Sequence, residues 1–134
     1  MIWNLQRYLE LLFPNELIYV NMRYRQFPDT EIPDRNVLVQ EITGTEGAWY
    51  RWKQKVLQFV VRDIDQVSAK ALTDIIYNEL HGRFGLELPA VTVGGIVYPT
   101  VKTGQVSSQT IPQSLGEDEN GRPEFSFTMK ILYV

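Results

Sequence analysis

The sequence predicts an α+β fold, a mixed and largely antiparallel sheet with two helices packed on one face. Three observations lead there. The last eleven residues, 124–134, alternate almost strictly, with Phe125, Phe127, Met129, Ile131 and Tyr133 on one side and Ser126, Thr128 and Lys130 on the other. That is the pattern of a half-buried strand. Two other segments space their apolar residues three and four apart, as helices do. Around them lie short runs of β-branched and aromatic residues separated by Gly, Pro and Asp, which read as strands and turns.

Taken in order, residues 4–13 carry Leu5, Tyr8, Leu9, Leu12 and Phe13 at helical spacing, and Pro14 closes this first helix. Residues 17–25 form the first strand, with Ile18, Val20, Met22 and Tyr24 on one face. Residues 26–36, with Pro28 and Pro33 among Asp29, Glu31 and Asp34, make a polar excursion. A second strand spans 37–43, ended by Gly44 to Gly47, and a third spans 55–62, the segment between them extending the hairpin. Asp65 is placed to cap a helix over 66–81, whose expected buried stripe is Ala69, Leu72, Ile75, Ile76 and Leu80. Gly82 supplies its left-handed stop. Short strands follow at 90–93 and 96–98 around a Gly94-Gly95 turn, then at 101–110, where Gly104 marks a bulge or bend. Residues 112–123 read as an acidic loop before the final strand.

Composition narrows the function classes. A chain of 134 residues is expected to form one domain with a real core. Hydrophobic residues make up 44% and charged residues 22%, and no run reaches the eighteen apolar residues of a membrane span. Arg7 and Glu10 interrupt the N-terminal stretch, so no secretory signal is expected, and a cytoplasm is the expected place of synthesis and use. With no Cys, disulfides, thiolate catalysis and cysteine zinc sites are excluded. A net charge of −3 argues against a protein whose main work is gripping phosphate.

Several clusters invite chemistry and each has a plainer reading. Glu117 to Gly121 resembles a calcium loop, but aligned on Gly121 the first position is Gly116 and the twelfth is Phe127 where a bidentate Glu belongs. A solvated turn fits better, and no metal or cofactor is expected. Asp63 and Asp65 could serve as a carboxylate pair, yet their place between strand and helix points to capping for both. His81, in the last turn of that helix, has no triad partner near it in sequence. Trp49, Arg51, Trp52, Lys53 and Lys55 interleave aromatic and basic side chains, which suits base stacking, a hairpin arm, or a protein–protein patch. No pattern supplies a nucleophile, base and oxyanion donor together, so the chain does not read as an enzyme.

The order of elements, with the opening helix, the phrase Val37-Leu-Val-Gln-Glu-Ile-Thr-Gly44, the phrase Leu57-Gln-Phe-Val-Val-Arg-Asp-Ile-Asp65 leading into residues 69–80, and residues 112–127 before the last strand, resembles the tail terminator proteins of long-tailed bacteriophages. These are also described as tail completion, minor capsid or head–tail joining proteins. The resemblance spans almost the whole chain and implies a virion structural protein. It implies a ring, typically of six subunits, that caps the tail tube, halts its polymerisation and presents a docking surface to the head connector or stopper protein. The chain would then sit at the tail–neck junction, with DNA passing through without specific binding. Residues 26–36, 44–54 and 111–123 would supply contacts. The basic arm (Trp49, Arg51, Trp52, Lys53, Lys55) and the acidic loop (Glu117, Asp118, Glu119) would form complementary faces of a closing, heterologous interface. The arm itself fits no pattern of that family.

Three alternatives stay open on the sequence. One is a head-closure or connector adaptor protein of the same neck. Another is a small nucleic-acid-binding module using residues 49–55. The third is a small hydrolase using Asp63, Asp65 and His81.

Overall fold

The computed structural model describes residues 1–20, 34–46 and 52–134. Among them the elements run α1 (Ile2–Leu12), β1 (Ile18–Val20), β2 (Asn36–Glu46), β3 (Lys53–Arg62), α2 (Gln66–Leu80), β4 (Glu87–Leu88), β5 (Val91–Val93), β6 (Ile96–Tyr98), β7 (Val101–Glu117) and β8 (Pro123–Tyr133). Six strands make one sheet in the order β1-β2-β3-β8-β7-β4, and β5 and β6 form a separate hairpin. β1 lies parallel to β2 and every other pairing is antiparallel, so the mixed, largely antiparallel sheet is observed. The expected continuation of the first strand over 21–25, most of the polar excursion and residues 47–51 lie outside the described residues.

Alternation decides which side of the sheet meets the helices. Val37 and Val39 of β2, Leu57, Phe59 and Val61 of β3, and Phe127, Met129 and Ile131 of β8 share one face. Leu5 and Leu9 of α1 and Leu72, Ile76 and Leu80 of α2 close over that face in a single buried cluster. The register sets Phe59 directly opposite Phe127, and the rings stack with centroids 4.8 Å apart. Tyr77 meets Phe127 edge-on at 5.4 Å, which ties α2 to the middle of the sheet.

The helices follow their sequence signals closely. Asp65 caps α2 by accepting from the Ser68 backbone N–H at 2.8 Å, and its pKa is held low by that bond. The helix ends one residue earlier than expected, with His81 at the cap and Gly82 at φ 78°. One position of the expected stripe is wrong. Ile75 is exposed, and Thr73 is buried in its place, its hydroxyl donating to the Ala69 carbonyl at 2.6 Å. That bond lets a polar residue occupy a core position without an orphaned group.

The larger correction concerns residues 112–123. They are not a loop, because β7 continues to Glu117 and only the turn from Asp118 to Arg122 separates it from β8. Along the shared ladder, residues 103–117 of β7 oppose residues 123–133 of β8, and the mismatch is absorbed by four register shifts. Each shift inserts a residue and breaks the period-two alternation. That loss of period is why Pro112-Gln-Ser-Leu-Gly116 reads as a loop in sequence. β2 and β3 also run further than expected, β2 through Gly44 and β3 from Lys53.

Candidate interface surfaces

The two ends of the sheet differ in chemistry. At one end, where β1 and β2 begin, β3 finishes and β7 turns into β8, charged side chains are knitted together. Arg35, just before β2, grips Glu16 through Nε and Nη2 at 2.8–3.0 Å and reaches Asp63 through Nη1 at 2.6 Å. Its guanidinium is held in the charged form chiefly by the bonds to Glu16. Asp63 therefore does not cap α2 as expected. It ties the end of β3 to the start of β2, and its other oxygen accepts from the Ile64 backbone N–H.

Beside this triad lies a second network centred on Asp118. One oxygen accepts from the backbone N–H groups of Asn120 and Arg122, and the other accepts from Arg122 Nε at 2.8 Å and Arg62 Nη1 at 3.5 Å. Burial opposes the charge of Asp118, but these bonds outweigh it and hold its pKa below the usual carboxylate value. Arg122 also reaches Asp34 at 3.2 Å, and Arg62 donates to the Asp34 carbonyl at 3.1 Å. Arg62 is fully buried, and that burial presses its pKa down. The network fixes the β7–β8 turn onto the ends of β2 and β3. Next to it, Ile64, Asp65, Ser114, Gly116, Glu117 and Pro123 border a cleft of about 400 Å³ between the turn and the start of α2.

The opposite end carries Lys53 and Lys55. Lys53 opens β3 opposite Tyr133, and Lys55 donates to Glu41 at 3.0 Å, which raises its pKa. Trp52 lies across Gly104 of β7, so closely that a Cβ there would sit 2.8 Å from Trp52 Cζ3. The glycine therefore makes room for the indole. Trp49 and Arg51 lie outside the described residues.

The arm and the acidic loop, named together from sequence, are thus held apart. From Lys53 to Arg62 the strand spans nine steps, about 30 Å, and the turn lies beyond Arg62. Within one subunit they cannot meet. Glu117 and Glu119 are exposed at the turn end, whereas Asp118 is absorbed into the fold. Asp63, Asp65 and His81 do not converge either, because His81 lies at the far end of α2, about 24 Å from Asp65 along the axis. Instead His81 stacks on Tyr77, with centroids 5.1 Å apart. Among the described residues no group of three or more His, Cys, Asp or Glu side chains is arranged to hold a metal ion.

Sequence reasoning missed Arg35, Arg62 and Arg122, each of which organises a strand end. The available signal was their position: all three stand at a boundary between an apolar strand and an acid-containing turn. A family model described as bacteriophage tail terminator protein matches residues 15–134. The chain belongs to the bacteriophage tail terminator family. It is therefore a structural component of a phage tail, and the match takes in every element from β1 to β8. No curated protein matches the sequence. Within this terminator no described helix is long and apolar enough to cross a membrane.

Proposed function

We propose that this terminator assembles as a ring, hexameric on the family pattern, that caps the growing tail tube, stops its polymerisation and gives the head connector or stopper protein its docking surface. The observation that carries the reading is the family match over residues 15–134. The placement of Lys53 at one end of the sheet and of the exposed Glu117 and Glu119 at the other supports it. Head-to-tail contacts need two different, complementary faces on each subunit, and a ring results when the rotation between them closes. Lys53 at one end and Glu117 and Glu119 at the other are such faces. The whole chain acts as one building block, through surfaces and without bond-making chemistry. It is made in the host cytoplasm and ends at the tail–neck junction of the virion. DNA passes through the ring without being held, in keeping with a net charge of −3.

Tail tubes polymerised in vitro test the reading. Adding the purified chain should halt elongation, and tubes so treated should then bind head connector complexes. Continued growth at saturating chain would overturn it, and binding to the portal side in preference to tubes would favour a head-closure adaptor.

A further inference from the structure

Strand β7 is longer than its cover. Near its start the segment after α2 runs along its outer edge: Glu87 and Leu88 of β4 pair with Lys102 and Val101, Phe84 bridges Gln105, and Gly82 N–H donates to the Val106 carbonyl at 2.9 Å. From Ser107 to Glu117 the strand has β8 on one side and, among the described residues, no strand on the other. An open edge offers its N–H and C=O groups as a template for another strand. Charge is the common safeguard, and here it is missing: no Asp, Glu, Lys or Arg stands between Lys102 and Glu117. The segment Val106-Ser-Ser-Gln-Thr-Ile111 is uncharged and free of proline, as strands that stack with their own copies are. Ile111 is 70% exposed.

The backbone of this stretch opposes such pairing in several ways. Of the register shifts with β8, those between Ser108 and Thr110, Thr110 and Gln113, and Ser114 and Gly116 all fall in the uncovered part. Each bends and twists the strand away from a flat template. Pro112 stands inside the middle shift, directly after the uncharged segment. It has no N–H to give an incoming strand, which confines proline to edges and bulges. Side chains engage backbone groups here as well. Ser108 Oγ donates to the Thr110 carbonyl at 2.8 Å, Ser114 Oγ accepts from the Gly116 N–H at 3.1 Å, and Thr110 Oγ1 accepts from the Thr128 N–H at 2.9 Å.

We infer that Pro112, with the bulges around it, keeps the outer edge of β7 closed to a second copy of the chain, so that copies do not add strand to strand. The contact it prevents is β7 against β7 of another copy, which would run one sheet across two chains. The inference goes beyond the proposed ring, and its test needs neither tube nor connector.

Two substitutions at one position make the test. Pro112→Val restores an N–H and adds a strand-favouring side chain, whereas Pro112→Lys restores the N–H and adds a guarding charge. Sedimentation is run at high salt, where contacts between charged sheet ends are screened. Pro112→Val should then self-associate roughly tenfold more tightly than the wild type, and the amides of residues 106–111 should gain hydrogen-exchange protection in the associated species. Pro112→Lys should stay at the wild-type level. Ser114→Val, at an exposed position, frees the Gly116 N–H and should raise association in the same direction by a smaller factor. Circular dichroism identifies the folded variants, and Ser114→Val decides the matter if Pro112→Val does not fold. A folded Pro112→Val, or Ser114→Val in its place, that sediments as the wild type does would overturn the inference. Equal association of the Val and Lys variants at position 112 would overturn it too, because a charged edge should still repel. So would association in which residues 106–111 gain no protection.

Discussion

Asp118 is the residue on which most of the turn end depends. It bonds two backbone N–H groups and two guanidiniums, one of them on fully buried Arg62. Removing a carboxylate that neutralises a buried charge is far more costly than losing a surface ion pair. Asp118→Ala should destabilise the fold by about 3 kcal/mol, measured by urea unfolding. The sign of its pH dependence follows from the lowered pKa. The contribution is present above the ordinary value of 3.8 and is lost as the pH falls through the lower, folded value. Unfolding midpoints of the wild type should therefore fall more steeply below that pH than those of Asp118→Asn. Parallel curves would contradict this account. Phe127 is the corresponding apolar residue, stacked on Phe59 and met edge-on by Tyr77. Phe127→Ala should cost about 3–5 kcal/mol, read in the same experiment.

At the scale of elements, β7 shows best how sequence and structure part company. Its seventeen residues run along an eleven-residue partner and bulge four times, and each bulge erases the alternation by which strands are read. Its neighbour β8 keeps an unbroken register with β3, and its strand character was plain from Phe125 to Ile131. Helix α2 was legible for a similar reason, with Asp65, the Leu72–Ile76–Leu80 stripe and Gly82 all pointing to the same boundaries. Ile75 was misplaced because spacing alone cannot tell which of two adjacent isoleucines faces the sheet. The arginine network at the turn end was hidden: Arg62 meets Asp118 across 56 positions, a distance no local pattern reveals. The contact between Trp52 and Gly104 is likewise non-local, and it yields a prediction for this element. Gly104→Val should push the indole off β7 and shift tryptophan fluorescence, with α2 and the core unchanged by circular dichroism. An unaltered emission spectrum would show that Trp52 does not rest there in solution.

For the whole molecule, the sheet works as a bar with unlike ends. Lys53 and Trp52 mark one, and the turn with Glu117 and Glu119 marks the other, held in shape by the Arg62–Asp118–Arg122 network. The family was legible in the sequence because phrases such as residues 57–65 coincide with real structural junctions, here the end of β3 and the cap of α2. Glu117 and Glu119 were legible as an exposed acidic cluster, whereas the absorption of Asp118 into the fold was not, since its partner Arg62 lies 56 positions away. Reversing charge at both Lys53 and Lys55 should weaken self-association of the chain several-fold in sedimentation experiments at low salt, and high salt should narrow the difference from wild type. Unchanged sedimentation would remove these lysines from the interface. Electron microscopy of intact phage particles tests the central claim most directly. A closed ring of this chain should lie between the last ring of the tail tube and the head connector, with its sheet ends in contact from copy to copy, whereas particles whose neck lacks the chain would contradict the account.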